Sequence, residues 1–177
     1  MLTGQALPQA TASPSPADKK TVEEFEARVA RYLSERRKEG GNAPKQSNSP
    51  EKLDQAEQSV TVKSQVSHAG ARQGAIFDRG VAEYFRKQIA TTLSGPDGSK
   101  IRASLQSAEP VQGKLRVDEV YPEKMPLQST PPTLLLRLPV LPKELEYRIV
   151  GNNLVLLDIV PKLVVDYLPD AIPQTRN

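Results

Sequence analysis

The chain has 177 residues, with 24 Lys and Arg against 21 Asp and Glu, a formal charge of +3 and a pI near 9.1. The two signs are interleaved, so charge alone does not call for an anionic partner. The absence of cysteine excludes disulfides, thiolate metal sites and a Cys nucleophile. No apolar run reaches the length of a membrane span, the longest, around 134–141, being broken by Arg137 and Pro139.

Apolar residues are thin before Ala75 and dense after Val111, which predicts a small, mostly C-terminal core. The first residues are uncharged and carry two small-x-small sites, Gly4-Gln5-Ala6 and Ala10-Thr11-Ala12, followed by Ser13-Pro14-Ser15-Pro16. Residues 1–17 read either as the remnant of a secretory signal whose basic start and apolar stretch lie upstream of Met1, or as a disordered tail.

Residues 18–39 predict an amphipathic helix. Val22, Phe25, Val29 and Tyr32, with Leu33 alongside, recur at three- and four-residue spacing and form one narrow apolar stripe. Thr21 and Glu24 fit a capping box, Arg36, Arg37 and Lys38 complement the C-terminal dipole, and Gly40-Gly41 ends the element. Ser49-Pro50-Glu51 starts a second helix, 51–64, with Leu53, Ala56 and Val60 in period, so that 18–66 reads as an antiparallel helical hairpin. The second helix offers little to cover the first, and the stripe Val22, Phe25, Val29 and Tyr32 is expected to remain partly exposed as a surface for a protein partner or for self-association. The alternative is that the hairpin folds back onto the rest of the chain.

Residues 67–75 form the expected flexible joint, and 76–170 the main domain. Asp78 caps a helix through Ser94 with Val81, Phe85, Ile89 and Leu93 on its buried side, and Phe77 is placed to staple onto Ala82. Asp97-Gly98 turns into a shorter helix, 99–107, carrying Ile101 and Leu105 inward. Residues 114–121 alternate as a strand, and Thr130-Pro131-Pro132 opens one helical turn. The runs 145–150, 154–158 and 163–168, joined at Gly151-Asn152-Asn153 and across Pro161, write an antiparallel meander. The fold class is therefore α+β: a helical hairpin, a helix pair and a small four-stranded, mainly antiparallel sheet built from 114–121 and the meander. Leu154 to Leu157 is apolar on both faces, which predicts a central strand covered twice, with 78–94 as the covering helix. Residues 171–177 read as a disordered tail.

The candidates for chemistry are few. His68 is the single histidine and sits in the joint without a nearby partner, so it reads as a solvated loop residue. Gly95-Pro96-Asp97-Gly98-Ser99-Lys100 has the composition of an anion loop, but its spacing is wrong for a Walker loop and an interhelix turn is preferred. Asp158 and Asp166 could form an acid–base pair if they faced one cleft. Asp158 lies at a strand end, however, and Asp166 alternates with Val165 and Tyr167, which points it toward solvent. Tyr84, Tyr121, Tyr147 and Tyr167 with Arg86, Arg116 and Arg148 could make a stacking surface, yet no spaced motif supports one.

The span from Ala71-Arg72-Gln73-Gly74 through Gly95-Pro96-Asp97-Gly98, Tyr121-Pro122, Leu138-Pro139, Leu145-Glu146-Tyr147-Arg148, Gly151, Leu154-Val155-Leu156-Leu157-Asp158 and Val164-Val165-Asp166-Tyr167 resembles a family of exported bacterial proteins of acidobacterial and proteobacterial type. The resemblance implies export and supplies no activity, ligand or catalytic residue. Over a shorter span, the meander is similar to the C-terminal hairpin of periplasmic nickel- and cobalt-homeostasis proteins, a match too short to bring metal binding with it. The sequence thus predicts a non-enzymatic binding or structural module of the cell envelope, periplasmic or secreted, without cofactor, metal or nucleic acid. The alternatives kept open are a carboxylate-dependent hydrolase or lyase and a cytoplasmic location.

Overall fold

The computed structural model describes residues 15–38, 50–67, 70–106, 114–122 and 128–173. They form helices α1 (Pro16–Lys38), α2 (Pro50–Ser67), α3 (Arg79–Ser94), α4 (Gly98–Gln106) and α5 (Pro132–Leu135), and strands β1 (Gln128–Ser129), β2 (Leu145–Val150), β3 (Asn153–Asp158) and β4 (Leu163–Leu168). The strands make one antiparallel sheet in the order β1-β2-β3-β4. This is the α+β class that the periodicities predict.

The fourth strand differs from expectation. It is the two-residue β1, paired with Arg148 and Ile149 of β2. Residues 114–121 instead run irregularly along the opposite edge, where Val120 bridges Leu163 and the Asp118 and Tyr121 amides donate to Val164 and Lys162 carbonyls. Asp118 adopts a left-handed conformation (φ 67°), which interrupts the ladder the alternation of 114–121 implied.

Two hairpin connections give the meander its register. Gly151 (φ 60°) sits first in the two-residue β2–β3 loop, where a side chain would be strained and where the favoured hairpin turns need a positive φ. In β4 the register shifts opposite Leu156 and Leu157: Leu156 pairs with Asp166 and Leu157 with Val164, which leaves Val165 as an extra residue. Such a bulge places two residues of one strand opposite one of its partner.

The sheet is covered on both faces. On one face Leu145, Tyr147, Ile149, Leu154, Leu156, Val165 and Leu168 join Phe25, Val29, Tyr32 and Leu33 of α1, Val81, Phe85, Ile89 and Leu93 of α3, Ile101 of α4 and Leu134 of α5. Phe25, Phe77 and Phe85 pack ring on ring at its centre, with centroids 5.0–5.9 Å apart. On the other face Val150, Val155, Leu157 and Val164 pack with Tyr121, Leu115 and Tyr167. β3 is accordingly a doubly covered interior strand and α3 lies over it, as the sequence predicts.

Local signals explain most element starts. α1 begins at Pro16, earlier than the expected residue 18, so Pro16 and Ala17 belong to the helix and not to the tail. Its capping box is Ser15 with Asp18, the Asp18 amide donating to Ser15 Oγ at 3.1 Å and the Ser15 amide to Asp18 Oδ2 at 3.4 Å. Thr21 is inside the helix and donates to the Ala17 carbonyl, which corrects the Thr21–Glu24 box. Asp78 caps α3 through the Val81 amide at 3.0 Å. At the α3–α4 joint, a Cβ on Gly98 would stand 1.7 Å from the Leu93 carbonyl oxygen, so this close approach requires glycine. Ala171 and Ile172, expected to begin the disordered tail 171–177, are instead buried in the main core, the Ile172 amide donating to the Asn152 carbonyl at 3.0 Å; Gly40, Gly41, Ser49 and residues 174–177 lie outside the described residues, as does the Leu53 side chain.

Candidate functional site

The stripe expected to face a partner is mostly inside the fold. Phe25, Val29 and Tyr32 are buried in the main core, and Val22 is half-buried. The hairpin folds back onto α3 and the sheet, so the alternative weighed for it holds and the exposed-stripe expectation is corrected. The reason is geometric: Phe25 completes an aromatic cluster whose other members, Phe77 and Phe85, begin and line α3.

Charge pairs fasten α1 along its length. Asp18 meets Lys87 of α3 at 3.3 Å. Arg28 pairs with Asp78, the same carboxylate that caps α3, and its other nitrogen donates to the Ile76 carbonyl. Arg37 reaches Glu144, ahead of β2, at 2.7 Å. Arg36 Nη1 donates to Asp158 Oδ1 at 3.0 Å, and Tyr32 Oη donates to Asp158 Oδ2 at 2.8 Å, with Arg36 and Asp158 both fully buried.

The electrostatics follow from these partners. Burial pushes the Asp158 carboxyl up from its ordinary value, against the opposing effects of the Tyr32 hydroxyl and the Arg36 charge. Burial, then the neighbouring Asp158 charge, pushes the Tyr32 hydroxyl far above its usual range. The Asp118 carboxyl is also raised by burial. Arg28 holds Asp78 low, and Arg37 holds Glu144 low, each through a direct hydrogen bond. Asp158 can act here as the counter-charge of Arg36 and the acceptor of Tyr32; both of its oxygens have partners within the fold.

Asp166 does not point to solvent. Its carboxylate is buried and accepts four backbone amides, from Gly74 at 2.9 Å and from Ile76, Phe77 and Tyr167 at 2.8 Å each. The bulge at Val165 is the cause, because it brings both Val165 and Asp166 onto the helix-covered face. Asp166 thereby pins residues 74–77, the end of the expected flexible joint, against β4. Asp158 and Asp166 are each committed to structure, and neither lines the two grooves beside Val140.

The remaining candidates separate. His68 lies outside the described residues. Residues 95–100 form the α3–α4 turn, with Lys100 paired to Asp97 at 3.6 Å. Tyr84 and Tyr147 pack on one face of the sheet and Tyr121 and Tyr167 on the other, so these four tyrosines do not share one stacking surface. Arg86 donates to the Pro169 carbonyl, Arg116 pairs with Glu119 and Arg148 with Glu146. Burial raises the Tyr121 hydroxyl to about 12.

What the surface offers is apolar. Leu136 and Val140 are 84% and 88% exposed, with Leu135 also exposed beside them. A groove of about 390 Å³ runs past Leu135, Pro139, Val140 and Leu141 to Leu145 and Tyr147 of β2. A second, of about 360 Å³, lies on the other side of Val140 against Phe25, Val29 and Ala30 of α1. Along this edge β1 pairs with Arg148 and Ile149, and among the described residues no strand pairs with Leu145 to Tyr147 on that side, although the Tyr147 carbonyl accepts the Thr130 hydroxyl at 2.9 Å and the Leu145 amide donates to the Pro142 carbonyl at 3.0 Å. The tyrosine hydroxyl of Tyr147 is occupied, donating to the Pro139 carbonyl at 3.0 Å.

Sequence reasoning missed both the buried pair and this ridge. Arg36 continues the apolar stripe three residues after Leu33, a position at which a cation needs a buried counter-charge; that was the available signal. Val140 sits in Leu138-Pro139-Val140-Leu141-Pro142, where proline removes any periodicity from which exposure could be read. Among the described residues no group of three or more His, Asp or Glu could hold a metal ion, and no helix is long and apolar enough to cross a membrane. Comparison with protein-family models, curated proteins and solved structures finds no match.

Proposed function

We propose that the protein is a non-enzymatic binding module of the bacterial cell envelope that takes an extended, apolar segment of a partner protein along the open edge of β2. The observation that carries this reading is the exposed pair Leu136 and Val140 beside a 390 Å³ groove that ends at Leu145–Tyr147, the part of β2 that β1 does not pair, where the Tyr147 carbonyl accepts the Thr130 hydroxyl and the Leu145 amide donates to the Pro142 carbonyl. An extended peptide added to a sheet edge gains main-chain hydrogen bonds, and the groove gives its alternate side chains an apolar seat. Exposed apolar patches of this kind mark interaction surfaces. The envelope location is supported by the resemblance to exported bacterial proteins and by the small-residue sites at 4–6 and 10–12. The hydrolase or lyase reading loses its support because Asp158 and Asp166 are each saturated by partners inside the fold.

The test uses a blocked hexapeptide of alternating valine and threonine, titrated into isotope-labelled protein. Saturable amide shifts confined to 140–148, abolished by Val140→Asp, are expected. Shifts that do not saturate, or that map elsewhere, overturn the site. Concentration-dependent sedimentation that Val140→Asp removes would replace the partner segment with a second copy of this chain. Cell fractionation of the native host, probed with antibody, tests the envelope location separately; recovery in the cytoplasmic fraction overturns it.

A further inference from the structure

The two grooves beside Val140 meet at one segment. Val140 and Leu141 line both, so a chain that lies along β2 and passes over Val140 arrives at α1. There the lining is Phe25, Val29 and Ala30 together with Pro142, and Glu26 lines it too. Phe25 and Val29 are buried, whereas Glu26 between them is exposed. The α1 groove is an apolar slot with one carboxylate beside it.

That carboxylate lacks a counter-charge. Three charged residues line the two grooves: Glu26, Glu146 and Arg148. Glu146 and Arg148 pair with each other at 2.6 Å, which neutralises the β2 side. Glu26 takes part in no hydrogen bond or ion pair among the described residues. Its helix neighbours three and four positions away are Val22, Glu23, Val29 and Ala30, none of them a cation. Its charge is felt at the β2 groove as well: burial, then Tyr84 and the Glu26 carboxylate, push the Tyr147 hydroxyl far above its usual range.

We propose that the α1 groove selects a lysine or arginine in the partner segment. This rests on the β2-edge reading and names a feature of the segment bound there. The methylene stem of either side chain lies along Phe25, Val29 and Pro142, and its charged head meets the Glu26 carboxylate at the water boundary. Long basic side chains divide in this way at apolar surfaces. An aspartate or glutamate in the same place sets like charges together and is rejected. The segment recognised is apolar in alternation along β2 and basic where it crosses α1.

The test extends the blocked valine–threonine hexapeptide, at either end, by lysine, glutamine or glutamate, and titrates each form into the isotope-labelled full chain. At one of the two ends the lysine form should bind roughly two- to fivefold more tightly than the glutamine form, the size expected of one exposed ion pair. The glutamate form should bind more weakly than both. The lysine form should also shift the amides of Glu26 to Ala30. Glu26→Gln changes an exposed helix position, so it should melt like the wild-type protein while the ranking disappears. If the glutamine form binds at 140–148 but all three forms are equal at both ends, the basic-residue proposal falls and the β2-edge reading stands. If no form binds there, the β2-edge reading falls and the proposal with it. A ranking that survives Glu26→Gln assigns the selection to another charge and overturns the proposal. So does self-association that Glu26→Gln abolishes, which would seat a second copy of this chain in the groove.

Discussion

Arg36 and Asp158 lie 122 positions apart in the chain and meet at 3.0 Å, both fully buried, one in the last turn of α1 and the other at the end of β3. The contact ties the first helix to the centre of a sheet formed by the last third of the sequence. It makes the N-terminal part of the chain integral to the fold, which the composition profile alone does not suggest.

Breaking this pair from one side should be severe. Asp158→Asn leaves a buried guanidinium without its counter-charge, and Arg36→Met leaves a buried carboxylate facing Tyr32. Each should destabilise by about 3–5 kcal/mol. The double variant Arg36→Met, Asp158→Leu removes both charges and should lose clearly less than the sum of the two single changes. Urea denaturation of the four proteins measures this; additive losses would show that the charges do not interact.

Asp166 should be as sensitive, for a different reason. Asp166→Asn turns an amide NH₂ toward backbone donors that now find a carboxylate oxygen, so at least two of the four bonds fail. A loss of about 3 kcal/mol or more is expected, since hydrogen bonds to a charged acceptor contribute about 1.5–3 kcal/mol each. Limited proteolysis should at the same time gain a cut in 70–77. A variant with unchanged melting and no new cut would contradict the brace assigned to this residue.

A chain beginning at Ala71 should not reach the native state. It lacks Phe25, Val29, Tyr32 and Leu33, four members of the main core, whose burial contributes roughly 1.5–3 kcal/mol each. Retained far-ultraviolet dichroism, lost near-ultraviolet signal and strong dye binding are expected. A soluble fragment with a cooperative melt would mean that α1 is dispensable.

Gly98→Ala isolates a steric effect. The new methyl meets the Leu93 carbonyl backbone, which cannot swing aside as a side chain tip can. The expected loss is about 1–3 kcal/mol, read from thermal melting, while Gly80→Ala serves as the control because only a side-chain oxygen lies near, at 3.8 Å. Equal behaviour of the two variants would remove the steric argument.

Acid should loosen α1 through Asp78 and Glu144. Arg28 and Arg37 lower these carboxyls in the folded state, so their stabilisation is present above the unfolded values and is lost as pH falls through the folded ones. Asp78→Asn retains a capping side chain but not the ion pair. Combined with Glu144→Gln, it should flatten the decline of Tm between about pH 5 and pH 3. An unchanged slope would exclude these two carboxyls as the acid-sensitive anchors.

Elements whose signals are local were legible in the residues alone. The meander follows from three short β-branched runs and a glycine where the turn requires positive φ. α3 follows from its Asp78 cap and its stripe of Val81, Phe85, Ile89 and Leu93. The double covering of β3 follows from Leu154 to Leu157 being apolar on both faces. Tertiary structure alone decided where the polar exceptions went. A one-residue bulge at Val165 reversed the side on which Asp166 lies, and a left-handed Asp118 removed the strand expected at 114–121. The apolar stripe of α1 gave no indication of whether its cover would be a partner or the chain's own aromatic cluster, because periodicity reports that a face must be buried and not against what. The same holds for Arg36 and Asp158: each is legible as a charge in an apolar setting, and only the packing of α1 on the sheet makes each the partner of the other.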